Sequence, residues 1–378
     1  MRVVKHVIIS LVVLVVNLLI FSCIPSSITY DGLAVSSEGI DIRVLVDKGK
    51  SFSLFSRGKM FFVDGIPLKD KIDILLDGTN LVINGISFGS MVDVYSDGNI
   101  VFNDIEYKGF FRFVVRNNLI LAINVVNIEE YLECVVPSEV PALWPMEVLK
   151  AQAIVSRTYA LKKIIENKNK DFDVFASYKS QVYLGLKKVH PRTTKAVEDT
   201  RGIVITHNGE IINAFFHANS GGFIETSEIL GTESFPYLRP SIDKFSRDTF
   251  RSYWTAFVKE EEIVKKVFGS SRYRLLDIEI PYRLPSGSVR ELKIIVKDHR
   301  GTYDKLLDIY RFREMFPVVL SPKFEVDIVG DKVIFRGYGW GHGVGMSQWG
   351  AKEMANQGYN YKEIIRYYYK DIEIQRLY

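Results

Sequence analysis

Asn-Gly and Asp-Gly pairs recur through the first third of the chain, and they constrain its fold most strongly. Four pairs, at Asp64-Gly65, Asp77-Gly78, Asn84-Gly85 and Asp97-Gly98, separate short runs of alternating apolar and polar residues. Such pairs supply the positive φ angles of tight hairpins. The sequence therefore predicts an antiparallel β meander over residues 40–126. Its predicted strands include Ile40–Val46, Lys59–Val63, Ile72–Leu76 and Leu81–Ile83.

A long helix is predicted over residues 145–166. Pro145 suits a first helical position, and the polar run from Asn167 ends the helix. Apolar residues fill a broad arc, and Val148 and Val155 lie opposite it, which indicates burial on most of the circumference. The fold class predicted is α+β, a mostly antiparallel sheet packed around this central buried helix, with a β-rich region at the N-terminus.

The remaining sequence alternates strand-like and helix-like patterns, with a hairpin predicted over 202–218 that turns at Asn208-Gly209. Two further helices are predicted at 347–356 and 361–369. Further helices are predicted at Val258–Phe268 and Leu306–Met315, and strands at Leu275–Ile280 and Val289–Lys297. The predicted organisation is a leader or anchor at 1–23, a β-rich region at 38–106 and a core domain at 107–378.

The N-terminus predicts a location outside the cytoplasm. Arg2 and Lys5 precede an apolar run, Val7–Phe21, that is short for a membrane-spanning helix and typical of a secretory signal. Because Cys23 ends a segment like a lipoprotein cleavage box, three alternatives stay open: a lipid anchor on Cys23, an uncleaved membrane anchor, or simple secretion. A net charge of +4 on 378 residues does not indicate a nucleic-acid partner.

The cysteine content excludes a disulfide framework, since Cys23 and Cys134 are the only two. Cys134 is a nucleophile candidate in principle. Its apolar surroundings favour a small buried thiol instead.

Glu139 is the leading candidate for acid chemistry. Pro137 and Pro141 bracket it in a stiff segment just before the long helix, and rigid placement is what a general acid needs. Lys150 and Arg157 fall within the apolar arc of that helix and need anionic partners there. Either they pair with structural acids such as Glu133 or Glu147, or they act on Glu139 or the substrate.

The segment GYGWGHGVGMSQWGA at 337–351 has glycine at every second position from 337 to 345. Alternating glycine allows close approach of a ligand or another strand, so both a substrate groove and a tightly packed structural loop are open. The polar loop from Asn219 to Gly222 and the short segment from Gln181 to Tyr183, predicted as a strand edge, have the same two alternatives. No serine sits in a nucleophile elbow.

Taken together, these segments resemble the SpoIID/LytB family of peptidoglycan-acting bacterial proteins. The resemblance runs through YLECVVPSEVPALWPMEVLKAQAIVSRTYAL at 131–161, SQVYLG at 180–185, AVEDTRGIVIT at 196–206, FFHANSGGFIETSE at 215–228, PYLRP at 236–240 and GYGWGHGVGMSQWGAKEMANQGYNYKEIIRYYY at 337–369. It covers about residues 107–370.

The resemblance implies an envelope protein acting on peptidoglycan glycan strands, either a lytic transglycosylase or a non-catalytic enhancer of a cell-wall amidase. It makes Glu139 the catalytic acid. Some members hold zinc through a histidine and cysteines, but here only His217 remains as a candidate ligand, so no metal and no cofactor are expected. The expected substrate contacts are Lys150, Arg157, Gln181, Tyr183, His217, Ser220, Gly221, Gly222, His342, Gly343, Met346, Ser347 and Gln348.

Overall fold

The computed structural model describes residues 28–30, 33–35, 39–58 and 60–378. The predicted leader, with Cys23, lies outside these residues, and so does Lys59. Within the described part of the chain, no helix is both long and apolar enough to span a bilayer.

The strands alternate with short turns over the first third of the chain and recur between helices afterwards. They are β1 Ile28–Tyr30, β2 Leu33–Val35, β3 Asp41–Gly49, β4 Ser51–Ser56, β5 Phe61–Val63, β6 Ile66–Leu68, β7 Lys71–Asp77, β8 Asn80–Ile83, β9 Ile86–Ser87, β10 Met91–Ser96, β11 Ile100–Phe102, β12 Ile105–Tyr107, β13 Phe110–Arg116, β14 Leu119–Asn127, β15 Val174–Phe175, β16 Ile203–His207, β17 Glu210–Ile211, β18 Phe216–His217, β19 Phe223–Ile224, β20 Ser241–Ile242, β21 Tyr253–Lys259, β22 Arg274–Arg283, β23 Val289–Asp298, β24 Gly301–Asp308, β25 Phe324–Val329, β26 Lys332–Tyr338, β27 Met346–Ser347 and β28 Glu373–Arg376.

The α-helices among the described residues lie after residue 127. They are α1 Ile128–Glu139, α2 Met146–Glu166, α3 Pro191–Asp199, α4 Glu260–Phe268, α5 Ile309–Met315, α6 Gln348–Asn356 and α7 Tyr361–Tyr368. Two 3₁₀ turns occur at Gly185–Lys188 and Ser227–Leu230. With mostly antiparallel sheets beside these helices, the α+β class predicted from the sequence is confirmed.

The β-rich region forms two sheets rather than a meander. Seven strands pair in the order β15-β3-β14-β13-β10-β5-β6, and six pair in the order β12-β11-β4-β7-β8-β9. The predicted strands and the hairpin turns at Asp64-Gly65 and Asn84-Gly85 are confirmed, with positive φ at all four residues. The meander prediction is wrong because the apolar faces of both sheets share one core, so the chain crosses between sheets.

Helix α2 is buried on all sides in its middle. Every residue from Ala151 to Leu161 is buried, and α2 packs against α1, α3, α7 and β16. Pro145, predicted as the first helical residue, occupies the N-cap instead, and the helix begins one residue later at Met146. The core around α2 is continuous with that of the two β sheets, and the seven-stranded sheet includes β13, β14 and β15 from beyond residue 107. The division into a β-rich region and a core domain stays a prediction.

Residues 253–338 carry a second, separate hydrophobic core. It comprises buried side chains from β21–β26, α4 and α5, including Trp254, Val264, Ile294 and Phe335. This segment interrupts the fold between the polar loop at 219–222 and the glycine-rich loop at 339–345. A buried ion pair attaches it to the rest: Lys323 Nζ lies 3.2 Å from Glu225 Oε1, and Ser288 Oγ donates to the same oxygen at 2.6 Å.

Candidate functional site

Glu139 is the last residue of α1, so the stiff segment that carries it is the end of a helix rather than a connection between elements. Asn127 caps the start of α1 by accepting the Glu129 N–H, and Pro137 lies inside the last turn. The helix tolerates Pro137 because its fixed φ is helical and the lost hydrogen bond falls close to the helix end. Glu139 is still placed rigidly, but by a helix terminus.

The carboxyl group of Glu139 is partly buried and held from one side. Its Oε1 accepts the backbone N–H of Val182 at 2.8 Å. Burial raises the pKa of Glu139 to about 7, and the Val182 hydrogen bond and the charge of Lys188 only partly oppose this. No described carboxylate forms a hydrogen bond with Glu139. A carboxyl with this pKa is present in both protonation states near neutrality, as a general acid that later acts as a base must be.

Arg157 does not reach Glu139. It is fully buried and makes a bidentate pair with Glu129, at 2.8 Å from Nε to Oε1 and 2.7 Å from Nη2 to Oε2. Burial opposes ionisation of Glu129, but the hydrogen bonds and charge of Arg157 outweigh it and lower the pKa of Glu129. Of the two alternatives that the sequence left open, the structure places Arg157 with a structural acid, although a different one from those expected.

Lys150 is also engaged elsewhere. Its Nζ lies 3.2 Å from Asp199 Oδ2 and 4.0 Å from Glu147 Oε1, and the side chain is 21% exposed. The pairing with Glu147 is one that the sequence suggested. Neither cation pairs with the Glu139 carboxyl, because Lys150 meets Asp199 on α3 and Arg157 meets Glu129 on α1.

Gln181 and Tyr183 are core side chains in an irregular segment, so the predicted strand edge is wrong. Tyr183 donates to Asn124 Oδ1 at 2.7 Å, and Gln181 Oε1 accepts the Tyr131 hydroxyl at 3.0 Å. Tyr183 is 2% exposed and Gln181 is 0% exposed. They fix the 181–183 backbone, which leaves the Val182 N–H free of strand pairing and aimed at Glu139.

A buried chain of polar groups crosses α2 and joins this segment to the glycine-rich loop. Gln181 Nε2 donates to the Ser156 carbonyl at 3.4 Å, and Gln152 Nε2 donates to Ser156 Oγ at 3.0 Å. Gln348 Nε2 then donates to Gln152 Oε1 at 3.3 Å. Sequence reasoning missed Gln152 and Ser156. Their i, i+4 spacing on an otherwise apolar helix was the available signal.

The polar loop and the glycine-rich loop pair with each other. Phe216 and His217 lie in parallel register with Met346 and Ser347, and Asn219 and Trp340 exchange both backbone hydrogen bonds, at 2.9 and 2.8 Å. Gly339, Gly341, Gly343 and Gly345 all have positive φ. At Gly345 an added Cβ would lie 2.0 Å from the Phe215 carbonyl oxygen. Alternating glycine therefore serves close backbone approach here, one of the two readings left open.

His217 and His342 lie together at this junction, with ring centroids 5.5 Å apart. His217 Nδ1 pairs with the Val344 carbonyl at 3.0 Å, and His342 Nδ1 accepts the Val344 N–H at 3.0 Å. Burial lowers the pKa of His342 to about 4, and burial together with the neighbouring His342 lowers the pKa of His217 well below its ordinary value. Both rings are neutral at physiological pH. The Nε2 atom of His217 is buried without a hydrogen-bond partner among the described residues.

Asp243, which sequence reasoning missed, organises the serines of both loops. Its Oδ2 accepts the hydroxyls of Ser220, at 2.7 Å, and of Ser246. Ser246 Oγ also lies 2.7 Å from Ser347 Oγ, and Ser220 Oγ accepts the Gly222 N–H at 3.2 Å. Ser220 and Ser347 are 2% and 0% exposed. They are buried structural residues of the paired loops, brought together by an aspartate that is distant in sequence.

The residues present do not fit a zinc centre. Within the described ranges no three His, Cys, Asp or Glu side chains are grouped to hold a metal ion. Cys134 lies on α1, buried, and burial raises the pKa of its thiol to about 12, which is unsuited to a thiolate ligand or nucleophile. The prediction of a small buried thiol is confirmed.

Comparison with known proteins places the chain among bacterial relatives. Residues 116–207 match the family SpoIID, described as Stage II sporulation protein. An uncharacterized protein of Brachyspira hyodysenteriae is 34% identical over 299 residues, 75% of this chain and 78% of the relative. Stage II sporulation protein D of Bacillus subtilis is 31% identical over 272 residues, 66% of this chain and 74% of the relative.

A third relative carries a different name. The Amidase enhancer of Bacillus subtilis is 29% identical over 284 residues, which cover 63% of this chain and 39% of that protein. The matched family segment contains Glu139, Arg157 and Gln181, and two relatives share at least 30% identity over about three quarters of their own length. The resemblance stated from the sequence is confirmed, and the chain belongs to the SpoIID/LytB family.

Proposed function

We propose that this chain is a cell-envelope lytic transglycosylase that cleaves the glycan strands of peptidoglycan, with Glu139 as its catalytic residue. One observation carries the proposal: Glu139 is a partly buried carboxyl with a pKa of about 7, fixed by the Val182 N–H on one oxygen. Membership of the SpoIID/LytB family supports a cell-wall substrate. Glu139 Oε2 is the oxygen left to meet it.

The proposed reaction uses Glu139 twice. Protonated Glu139 donates its proton to the glycosidic oxygen between N-acetylmuramic acid and N-acetylglucosamine, and the bond from the muramic C1 to that oxygen breaks. The muramic C6 hydroxyl then bonds to C1, and its proton passes to the Glu139 carboxylate. The products are a 1,6-anhydro end and a free N-acetylglucosamine end. Because no water is consumed, no second carboxylate is required to activate one.

The other site residues support this reaction in different ways. His342, partly buried and neutral, is the proposed polar contact for a sugar hydroxyl beside Gly343. His217, Ser220, Gly221, Gly222, Met346, Ser347 and Gln348 shape the wall of the groove through the loop pairing and the Asp243 cluster. Lys150, Arg157, Gln181 and Tyr183 hold α2 and the Val182 N–H in position from within the core.

A second candidate function is a non-catalytic enhancer of a cell-wall amidase, which the name of the 29% identical Bacillus subtilis relative favours. On this alternative the chain binds the wall and a partner amidase without cutting glycan. On this alternative the raised pKa of Glu139 serves no chemical step.

Purified chain, incubated with peptide-free glycan strands and followed by mass spectrometry of the products, separates the two. The proposal requires 1,6-anhydro-muramyl ends from the wild type and none from Glu139→Gln. Glu130→Gln, a partly exposed acid earlier on the same helix that pairs with Lys108, is the matched control and should cleave normally. Absence of cleavage by the wild type, together with wall binding and stimulation of an added amidase, would favour the enhancer.

A further inference from the structure

Four aromatic rings from three separate segments form a continuous row beside the site. The Trp144 and Trp349 rings meet edge to face with centroids 4.9 Å apart, and Phe250 lies 5.1 Å from Trp349 and 6.4 Å from Trp340. Trp144 belongs to the short segment that directly follows Glu139. The row therefore begins close in sequence to the proposed catalytic residue and ends on the glycine-rich loop.

Two cations lie against this row. Lys352 Nζ is 4.5 Å from the centroid of the Trp349 ring, and the Arg251 guanidinium carbon is 4.1 Å from that of Trp340. Neither cation makes an ion pair with any carboxylate in the described part of the chain. Each therefore keeps its hydrogen-bond donors for an external anion.

The exposed part of the row is held in place by its backbone. Phe250 is 52% exposed, and its carbonyl accepts the Asn219 side-chain amide at 2.9 Å. Arg251 has a φ of +57°, a conformation that costs a non-glycine residue about 1 kcal/mol or more. An exposed phenyl ring followed by a strained arginine is a costly arrangement for a surface without a ligand.

We propose that the row formed by Trp144, Trp349, Phe250 and Trp340, with Lys352 and Arg251, binds an extended glycan strand that carries free carboxylates. Apolar sugar faces lie on Phe250 and on the accessible parts of Trp340 and Trp349, while Trp144, only 8% exposed, supports Trp349 from the core side. The lactyl carboxylates meet the two cations. The occupant follows from charge complementarity, since an uncharged glycan leaves both cations unused and a peptide-substituted strand has its lactyl carboxylates converted to amides. The inference rests on the proposed function, because it assigns the substrate's outer contacts.

Binding is measured on the full chain carrying Glu139→Gln, so that cleavage does not consume the ligand. The probes are soluble peptide-free glycan strands and, as an uncharged counterpart, a chitin oligosaccharide of similar length. Arg251→Gln with Lys352→Gln should weaken binding of the carboxylate-bearing strand about fivefold to tenfold, in proportion to two exposed charge contacts. The same pair should leave chitin binding within twofold. Phe250→Ala should weaken both by about tenfold.

Phe257 and Lys332 supply the matched control, because Lys332 Nζ lies 5.2 Å from the Phe257 ring centroid on an exposed face of the 253–338 segment. Phe257→Ala and Lys332→Gln should change neither affinity. The inference would be overturned if the control variants weakened glycan binding as much as the row variants do. It would also be overturned if Arg251→Gln with Lys352→Gln weakened binding of the glycan strand and of the chitin oligosaccharide equally. Cleavage by the otherwise unmodified chain is scored separately, so failure of the transglycosylase proposal remains distinguishable from failure of this one.

Discussion

The backbone N–H of Val182 donates a 2.8 Å hydrogen bond to Oε1 of Glu139, across 43 residues of sequence. This bond joins the end of α1 to an irregular segment whose side chains are anchored in the core. It satisfies one carboxyl oxygen and leaves burial as the dominant influence on the pKa of Glu139. The relationship gives Glu139 an orientation and a titration range suited to proton transfer.

Glu139 should make the protein less stable as pH rises. Its folded pKa of about 7 lies above the unfolded value of 4.5, so the unfolded state loses its proton first. Protonated Glu139 favours the folded state, and this contribution to the free energy of unfolding is fully present below pH 4.5. It is lost as the pH rises through 7. The difference between these two pKa values sets an upper bound of about 3–4 kcal/mol on this loss.

Glu139→Gln tests the sign, because Gln retains an acceptor for Val182 but does not ionise. We expect the variant and the wild type to unfold at similar urea concentrations at pH 4 and the variant to be the more stable at pH 8. A wild type that gains stability relative to the variant between these pH values would contradict the raised pKa.

The rate of glycan cleavage should fall with pH on its alkaline side. If protonated Glu139 starts the reaction, kcat/KM should drop about tenfold per pH unit above pH 7. Initial rates of release of anhydro-muramyl ends from pH 5 to pH 9 measure this profile. An activity that keeps rising beyond pH 8 would exclude Glu139 as the acid.

Arg157 should contribute to folding rather than to substrate binding. Arg157→Gln leaves Glu129 buried without its partner, which should cost about 3–5 kcal/mol of unfolding free energy. Arg116→Gln is a matched control, because Arg116 makes the same bidentate geometry with Asp171 at the surface and should cost less than about 1 kcal/mol. Urea unfolding compares them. If Arg157→Gln had near-normal stability but no longer bound glycan, Arg157 would have to be a substrate-binding residue.

Gly345 should be intolerant of any side chain. Gly345→Ala meets the Phe215 carbonyl and should cost about 1–3 kcal/mol more than the strain of positive φ alone. Gly209→Ala isolates that strain, because Gly209 has a φ of +83° and nothing within 4 Å of an added Cβ. Thermal unfolding of the two variants gives the difference. Equal melting temperatures would show that the paired loops separate easily.

Cys134 should be inert in the folded protein. Iodoacetamide at pH 8 should leave it unmodified in native conditions and label it in urea, because burial holds the thiol neutral. Peptide mass mapping distinguishes it from Cys23. Rapid native labelling, or loss of glycan cleavage in Cys134→Ala, would make it a candidate nucleophile again.

Local patterns predicted many individual elements. Asn84-Gly85 and Asn208-Gly209 adopt the positive φ angles expected of them, and Asn360 with Glu363 forms a capping box at the start of α7, a signal that is local in sequence. Helices α2, α6 and α7 begin and end within about a residue of their predicted bounds. These features depend on neighbours in sequence, which is why a pattern reveals them. The exchange of strands between two sheets depends on distant apolar faces and left no such pattern.

The features of the candidate site likewise divide into those that the sequence reveals and those that tertiary packing decides. Sequence alone determined which groups are available: the single rigid carboxyl at Glu139, two cations on a buried helix, and a loop whose alternating glycines permit close contact. Tertiary structure decided their partners. It turned Arg157 toward Glu129, placed Asp243 among the serines of two loops, and aimed the Val182 N–H at Glu139. A buried charge or hydrogen-bond donor needs a partner, and the folded chain supplies that partner from any point in the sequence. Which residue becomes the partner is therefore set by tertiary packing and not by spacing along the sequence.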